Sequence, residues 1–187
     1  MDATALEGGF SDAPRAASFA FRALMNAMAR PGSIEHLSGA RPPAPLSVAA
    51  GTALLTLTDP DTPLYLAGRA DTQRVRDWVA FHTGAPLVGP SHAMFALGTW
   101  RDLMPLEANP IGTPESPDRS TTLIVESSTL EQSGSVLRGP GIRETASFKL
   151  PDAQAMARNN AQFPLGLDFY FTSGAHVAAL PRSTRIG

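Results

Sequence analysis

The most glycine-rich stretch of the chain surrounds a single arginine, Arg138. It runs from Gly134 to Gly141, and Gly139 and Gly141 follow the arginine closely. Loops of this kind can bring backbone N–H groups and a guanidinium toward a phosphate. This one lacks the Gly-Lys-Ser/Thr ending of a P-loop and does not open a helical pattern. We therefore predict a structural turn, with phosphate binding as the alternative.

The four histidines are dispersed, and no pair of them has the spacing of a metal site. They are His36, His82, His92 and His176. Without a His-x-x-x-His or Glu-x-x-His pair, a metal site would have to assemble from remote segments, and we expect none. His82 falls on an apolar helix face, which favours a core or interface histidine over an acid or base. His92 is a second candidate base, but the sequence names no acidic partner for it.

Two acidic residues, Glu115 and Asp118, flank Pro117 just before an apolar run. Such an arrangement can bind a cation or a sugar hydroxyl, although it more often makes a turn and begins a strand. No serine lies in Gly-x-Ser-x-Gly or Ser-x-x-Lys, so no acyl-transfer nucleophile is indicated. The lone lysine, Lys149, lies in no Schiff-base motif, and we expect no cofactor. The residues alone describe no self-sufficient catalytic site.

The composition is typical of one folded domain that spans residues 1–187. Apolar residues make up 43% of the chain and charged residues 17%, which argues against a disordered or coiled-coil protein. The net charge is -2 and basic residues are not clustered, so nucleic-acid binding is not expected. Because there is no cysteine, the chain by itself holds no disulfide, iron–sulfur cluster or zinc–thiolate site.

Neither a secretory leader nor a membrane span is indicated by the sequence. The first residues lack a basic region followed by an apolar one, and no run reaches about 18 consecutive apolar residues. We expect a cytoplasmic protein that has no membrane partner.

Three helices are predicted from apolar spacing and from capping residues. The first runs from Pro14 to Ala29, with Ser11 or Asp12 as its cap. The second begins at Asp71 and stops near Gly84, and the third begins at Asp152 and reaches about Ala161. Strands are predicted at 52–57, 64–66, 93–97 and 121–125, and a hairpin at 169–180.

Alternating helices and buried strands, with a hairpin late in the chain, predict a three-layer α/β/α domain with a mixed sheet. An all-β barrel or a helical bundle fits the pattern less well. The proline-rich segment 105–117 is predicted to be a long irregular loop, and loops of this length are often functional or form interfaces.

Eight segments, in order along almost the whole chain, are similar to the PhnH family of the bacterial carbon–phosphorus lyase core complex. They begin with Gly-Phe-Ser-Asp and include Phe-His-Thr-Gly-Ala-Pro-Leu, Leu-Arg-Gly-Pro-Gly-Ile and Leu-Pro-Arg-Ser-Thr-Arg. The segments are 9–12, 19–32, 62–64, 81–87, 112–124, 137–142, 160–168 and 180–185.

This resemblance implies a cytoplasmic subunit of phosphonate catabolism that works with PhnG, PhnI and PhnJ. Together with PhnG, PhnI and PhnL, the family forms alpha-D-ribose 1-methylphosphonate 5-triphosphate from ATP and methylphosphonate. It further implies the fold of the large-domain core of pyridoxal-phosphate-dependent transferases without that cofactor, and a homodimer when the subunit is alone. Radical cleavage of the carbon–phosphorus bond belongs to an iron–sulfur subunit, which agrees with the absence of cysteine here.

Two roles follow for a PhnH-like chain, and a third stands outside the family. The first is a non-catalytic assembly or accessory subunit of the transferase and lyase complex. The second is a phosphate- or phosphonate-binding surface that uses guanidinium groups; its candidates are Arg138, Gly139, Gly141, Arg182 and Arg185. The third is a stand-alone phosphoester hydrolase with His82 or His92 as base. His82 and Glu115 are also candidates for an interface or for acid–base chemistry, and a dimer contact is expected near 81–87.

Overall fold

The computed structural model describes residues 6–187, which contain four α-helices and nine strands. The helices are α1 (Ala13–Ala29), α2 (Val48–Leu57), α3 (Gln73–His82) and α4 (Ala153–Asn160). The strands are β1 (Glu35–His36), β2 (Leu64–Leu66), β3 (Phe95–Thr99), β4 (Thr122–Glu126), β5 (Ser135–Arg138), β6 (Ala146–Phe148), β7 (Asp168–Ser173), β8 (His176–Leu180) and β9 (Arg185–Ile186). Within this part of the chain, no helix has both the length and the apolar character needed to cross a membrane.

Six strands form the main sheet in the order β1-β8-β7-β4-β3-β2. Strands β2, β3, β4 and β7 run parallel to one another, whereas β8 is antiparallel to both β7 and β1. The prediction of a mixed sheet in an α/β domain is therefore confirmed. Strands β6, β5 and β9 form a second, antiparallel sheet of three strands.

Alternate residues of the central strands pack on opposite faces of the main sheet, as the pleat requires. Leu97 and Ile124 lie in the core beneath α1, α2 and α3. Leu123, Val125 and Phe171 lie in a second core, which includes side chains of α4, β5 and β6. Helices therefore cover one face, while the other face is covered by one short helix together with the small sheet. This second layer differs from the all-helical outer layer of the predicted α/β/α arrangement.

Helix α2 replaces a predicted strand at 52–57, so that prediction is wrong. The Ser47 hydroxyl caps α2 by accepting the N–H of Ala50 at 3.1 Å. The β-branched Thr52 and Thr56 are accommodated because each hydroxyl donates to the carbonyl four residues earlier, at 2.7 Å. Positions 49–54 are all buried, which removes the polar face that would have revealed helical periodicity.

The other predicted helices are confirmed, with one cap corrected. Helix α3 begins after Thr72, whose hydroxyl accepts the N–H of Val75 at 3.2 Å, so Asp71 is not its cap. Asp71 instead pairs with Arg76, with 2.7 Å between Oδ2 and Nη2. Gly84 follows α3 with a φ of +68°, a conformation that favours glycine at a helix end.

The predicted strands at 64–66, 93–97, 121–125 and the hairpin at 169–180 are present with ends shifted by at most two residues. The glycine-rich segment 134–141 contains a strand, β5, where the sequence predicts only a turn. Leu137 of β5 is fully buried, and its strand pairs with β6 and β9. The turn itself begins at Gly139, where the strand has ended.

Candidate functional site

The parallel strands β2, β3, β4 and β7 bring their carboxyl ends to one edge of the main sheet. A cavity of about 340 Å³ lies at this edge, and we call it the carboxyl-edge crevice. Its polar lining residues are Ser47, Arg69, Thr99, Glu126, Ser127 and Ser128. In open α/β sheets, ligands bind in crevices outside the carboxyl ends of the strands. Position and lining therefore make this crevice the candidate functional site.

Glu126, the last residue of β4, is the central acidic group of the crevice. Its Oε1 accepts the backbone N–H of Ser47 at 2.7 Å, and its Oε2 accepts the Thr172 hydroxyl at 3.1 Å. Burial raises the pKa of the Glu126 carboxyl, an effect that these hydrogen bonds only partly oppose. The carboxyl thus connects the start of α2 to the sheet and holds its proton at higher pH than an exposed glutamate does.

The rim of the crevice is shaped by a close contact between the end of β3 and the turn after β2. The Thr99 hydroxyl donates to Asp102 Oδ2 at 2.7 Å. A Cβ on Gly68 would lie only 2.2 Å from Asp102 Cγ, and Gly68 has a φ of +52°, so glycine is required there. The following residue, Arg69, is exposed. The crevice therefore offers a guanidinium, a carboxyl and serine hydroxyls, a set that binds hydroxylated or anionic ligands.

The sequence predictions do not include this crevice, although the sequence contains one signal for it. The apolar run at 121–125 is followed directly by Glu126, Ser127 and Ser128. Polar residues that follow a buried parallel strand fall at the carboxyl edge of its sheet. Ser47 carries no comparable signal, because the sequence predicts a strand where the helix that it caps is found.

Arg182, a predicted anion contact, is committed to partners within the protein. It forms an ion pair with Asp168, in which the side chains are 13% and 21% exposed. Its Nη1 also donates to the Pro117 carbonyl at 2.7 Å, and its Nη2 donates to the Ser120 hydroxyl. Asp168 begins β7, so this network lies at the amino edge of the parallel strands, opposite the crevice.

Arg138 and Arg185 lie on the small sheet, where they face each other in the register of β5 and β9. Both arginines are exposed. Like charges directly opposite each other destabilise a strand pair, so an anion bound between them would relieve their repulsion. These two predicted residues are brought together, whereas Arg182 is held by the Asp168 network.

The two glycines of the predicted phosphate loop are needed for packing. Gly139 has a φ of +140°, and a Cβ there would approach the Ser183 carbonyl oxygen to 3.2 Å. Gly141 has a φ of +80°, and a Cβ there would lie 1.9 Å from the Ala29 carbonyl oxygen. The turn therefore packs against the end of α1, and only glycine permits that approach.

His82 and Glu115 occupy separate places, and neither reaches the crevice. His82 Nε2 lies 3.1 Å from the carbonyl oxygen of Glu7, to which Trp78 Nε1 also donates at 3.1 Å. His82 thus fastens the segment before α1 to α3. Glu115 is exposed in the turn between Thr113 and Ser116. In the described part of the chain, no three histidine, aspartate or glutamate side chains group as metal ligands.

Comparison with known proteins extends over nearly the whole chain. Residues 8–187 match the family model described as bacterial phosphonate metabolism protein (PhnH). The chain is 41% identical over 190 residues to the alpha-D-ribose 1-methylphosphonate 5-triphosphate synthase subunit PhnH of Rhizobium meliloti (strain 1021), which covers 96% of this chain and 94% of that protein. It is 31% identical over 178 residues to the putative C-P lyase subunit protein HtxG of Stutzerimonas stutzeri, covering 89% of this chain and 84% of that protein.

Proposed function

Because the chain belongs to the PhnH family of bacterial phosphonate metabolism proteins, we propose that it acts as the PhnH subunit of an alpha-D-ribose 1-methylphosphonate 5-triphosphate synthase, within the C–P lyase core complex. The family resemblance found in the sequence is confirmed. The observation that carries this function is the 41% identity to a PhnH subunit over 96% of the chain. The subunit contributes to assembly or serves an accessory role in phosphonate catabolism.

Several large apolar side chains on the surface support a role in assembly. Phe19, Phe21, Met25 and Phe81 are each between 50% and 61% exposed. Three of the four lie on α1, and exposed apolar patches commonly mark surfaces that contact other proteins. In this proposal the chain contacts PhnG, PhnI and PhnJ in the cytoplasm. When alone it forms a homodimer, with Phe81 near the contact.

The proposal also includes a core related to the large domain of pyridoxal-phosphate-dependent transferases. The mixed sheet with a helical layer on one face supports this relation. The chain's one lysine, Lys149, is exposed and pairs with Glu131 at 2.8 Å, after β6 of the small sheet. It thus lies outside the carboxyl-edge crevice, and nothing about its position favours a Schiff base there.

The experiment that tests the subunit role is co-expression of the tagged chain with PhnG, PhnI and PhnJ from the same source. Affinity purification and native mass spectrometry then give the stoichiometry. We expect the four chains to copurify at fixed ratios. Two matched variants on α1 test whether its exposed apolar side chains contribute to the complex. Phe21→Ser removes an exposed apolar side chain and should reduce copurification, whereas Ser18→Ala alters an exposed polar one and should not. Recovery of a stable complex that lacks this chain would contradict the subunit role.

A second candidate function is anion binding by Arg138 and Arg185. Their two positive charges face each other on the small sheet, and both residues are exposed. The Arg138→Ala/Arg185→Ala double variant should assemble normally and lose growth on methylphosphonate. Arg119→Ala, which alters an exposed arginine outside the small sheet, is the matched control. Normal growth of the double variant would exclude this role.

The stand-alone hydrolase stays a prediction with its own test. His82 is engaged with the Glu7 carbonyl, and His92 Nδ1 lies 3.0 Å from the hydroxyl of the adjacent Ser91. Turnover of a phosphoester by the isolated chain, abolished by His82→Ala or His92→Ala, would favour it over the accessory role.

A further inference from the structure

Two histidines from remote segments of the chain face each other at the edge of the main sheet. His36 of β1 lies directly opposite His176 of β8 in their antiparallel register. Residues placed in this way have Cβ atoms about 4.5–5.5 Å apart on one face of the sheet. The adjacent pair, Glu35 and Val177, lies on the other face, where Val177 is fully buried. The fold therefore forms a histidine pair that spacing along the sequence does not indicate.

The separation of the two imidazole rings suits a shared metal ion. Their centroids are 5.6 Å apart. An imidazole nitrogen binds Zn²⁺ at about 2.1 Å, so each ring centroid would lie about 3.2 Å from the ion, and two rings at a tetrahedral angle would lie about 5.2 Å apart. The observed separation differs from this value by a few tenths of an ångström. Both side chains are exposed, so small rotations can supply the difference.

Each of the two rings has a nitrogen available for a metal ion. His36 Nε2 lies 2.9 Å from the Ser38 hydroxyl. When Nε2 donates to that hydroxyl oxygen, Nδ1 keeps its lone pair, as in metal sites where a second hydrogen bond orients the ligating ring. Within residues 6–187, neither ring nitrogen of His176 takes part in a hydrogen bond. The pair therefore offers two unshared electron pairs at an exposed edge.

We propose that His36 and His176 bind one Zn²⁺ ion, with water in its remaining positions. Imidazole ligands suit zinc, whereas Mg²⁺ takes oxygen ligands. The described part of the chain adds no third histidine, aspartate or glutamate to the pair, so the site is open, unlike the closed sites of structural zinc. The ion joins the two-residue edge strand β1 to β8 and thereby stabilises the folded chain. The site is additional to the subunit role and does not depend on it.

Isothermal titration calorimetry with Zn²⁺ on the full, untagged chain tests this site. Once one histidine has bound the ion, the second binds it within the same molecule, so the pair should hold Zn²⁺ about 100-fold more tightly than one histidine does. His36→Ala and His176→Ala should each weaken binding by about that factor, and the double variant should bind little more weakly than either. The control is His92→Ala, which alters an exposed histidine outside the pair and should bind Zn²⁺ as wild type does.

Thermal unfolding with and without Zn²⁺ gives a second measurement. Without metal, each variant should unfold within about 2 °C of wild type, because both histidines are exposed. Zn²⁺ should raise the unfolding midpoint of wild type and of His92→Ala, increasingly with its concentration, and should raise it much less in His36→Ala and His176→Ala. If one variant folded poorly, the other would still decide the test, because each removes one of two ligands. No Zn²⁺ binding by wild type, or affinities and midpoint shifts that are unchanged in the single variants, would overturn the proposal.

Discussion

Arg182→Ala should destabilise the protein strongly, because Arg182 joins its own segment to Asp168 and to residues 117–120 at the amino edge of the sheet. Its guanidinium contacts Asp168, the Pro117 carbonyl and the Ser120 hydroxyl, and its backbone N–H donates to Asp168 Oδ1 at 2.8 Å. Truncation leaves a carboxylate that is only 21% exposed without its countercharge. Breaking a buried pair costs about 3–5 kcal/mol, and partial exposure of Asp168 places the expected loss near the lower end, about 3 kcal/mol.

Urea denaturation measures this loss as a shift of the unfolding midpoint. For a chain of this size the urea dependence is about 2–3 kcal/mol per molar, so the midpoint should fall by about 1–1.5 M. Arg185→Ala, three residues later and exposed, is the matched control and should change stability by less than about 0.5 kcal/mol.

A double-mutant cycle separates the ion pair from the other Arg182 contacts. Once Asp168 is alanine, removing Arg182 no longer strands a carboxylate, so the two single losses should exceed the double loss by about 1–3 kcal/mol. An Arg182→Ala midpoint within about 0.3 M of wild type would refute the structural role. Strict additivity in the cycle would refute the pairing argument, and Arg182 would again become a candidate anion contact.

Three further predictions concern the crevice, the glycine turn and the sheet core. Glu126→Gln should gain stability relative to wild type as pH rises from about 4 to about 7, because burial raises the pKa of Glu126 and the wild type loses its favourable protonated form over that interval. Urea titrations of both proteins at the two pH values measure this difference in stability, and a difference that does not change with pH would contradict the prediction. Gly141→Ala should lower the free energy of unfolding by about 2 kcal/mol or more, because its Cβ would collide with the Ala29 carbonyl. Gly89→Ala is the control and should cost less than about 1 kcal/mol, since nothing lies within 4 Å of its Cβ. Similar shifts of the thermal unfolding midpoint for both variants would refute the packing argument. Burial and the Asp168 charge raise the pKa of Tyr170 to about 12, so the phenolate absorbance that Tyr170→Phe removes should appear only near that pH; its appearance near 10 would show that the hydroxyl is hydrated.

Local patterns located the elements that have both a polar and an apolar side. Helix α1 has buried Ala20, Leu24 and Ala27 opposite exposed Arg15 and Arg22, and its predicted and observed bounds agree within one residue. Helix α2 was missed for the opposite reason. Its residues 49–54 are buried on every side, and such a run does not distinguish a helix from a central strand.

The candidate site residues also divide into features that the sequence predicts and features that only the fold shows. The sequence selected Arg138, Arg182 and Arg185 by residue type, and the type is the same whether a guanidinium is free or engaged. Only the fold shows that Asp168, 14 residues before Arg182, occupies it, while Arg185 faces Arg138 across two strands. Neither contact follows from local spacing.

By itself, the sequence determined the family, the α/β class with a mixed sheet, and the absence of cysteine chemistry. These depend on composition, on short-range periodicity and on the order of motifs, all of which can be read along one dimension. The tertiary structure alone decided that Glu126, Ser47 and Arg69 share a crevice, and that the buried Oδ1 of Asn109 has no hydrogen-bond partner among residues 6–187. Those facts depend on which remote segments meet and on which polar atoms their packing leaves without a partner, because burial and hydrogen bonding are properties of the assembled core.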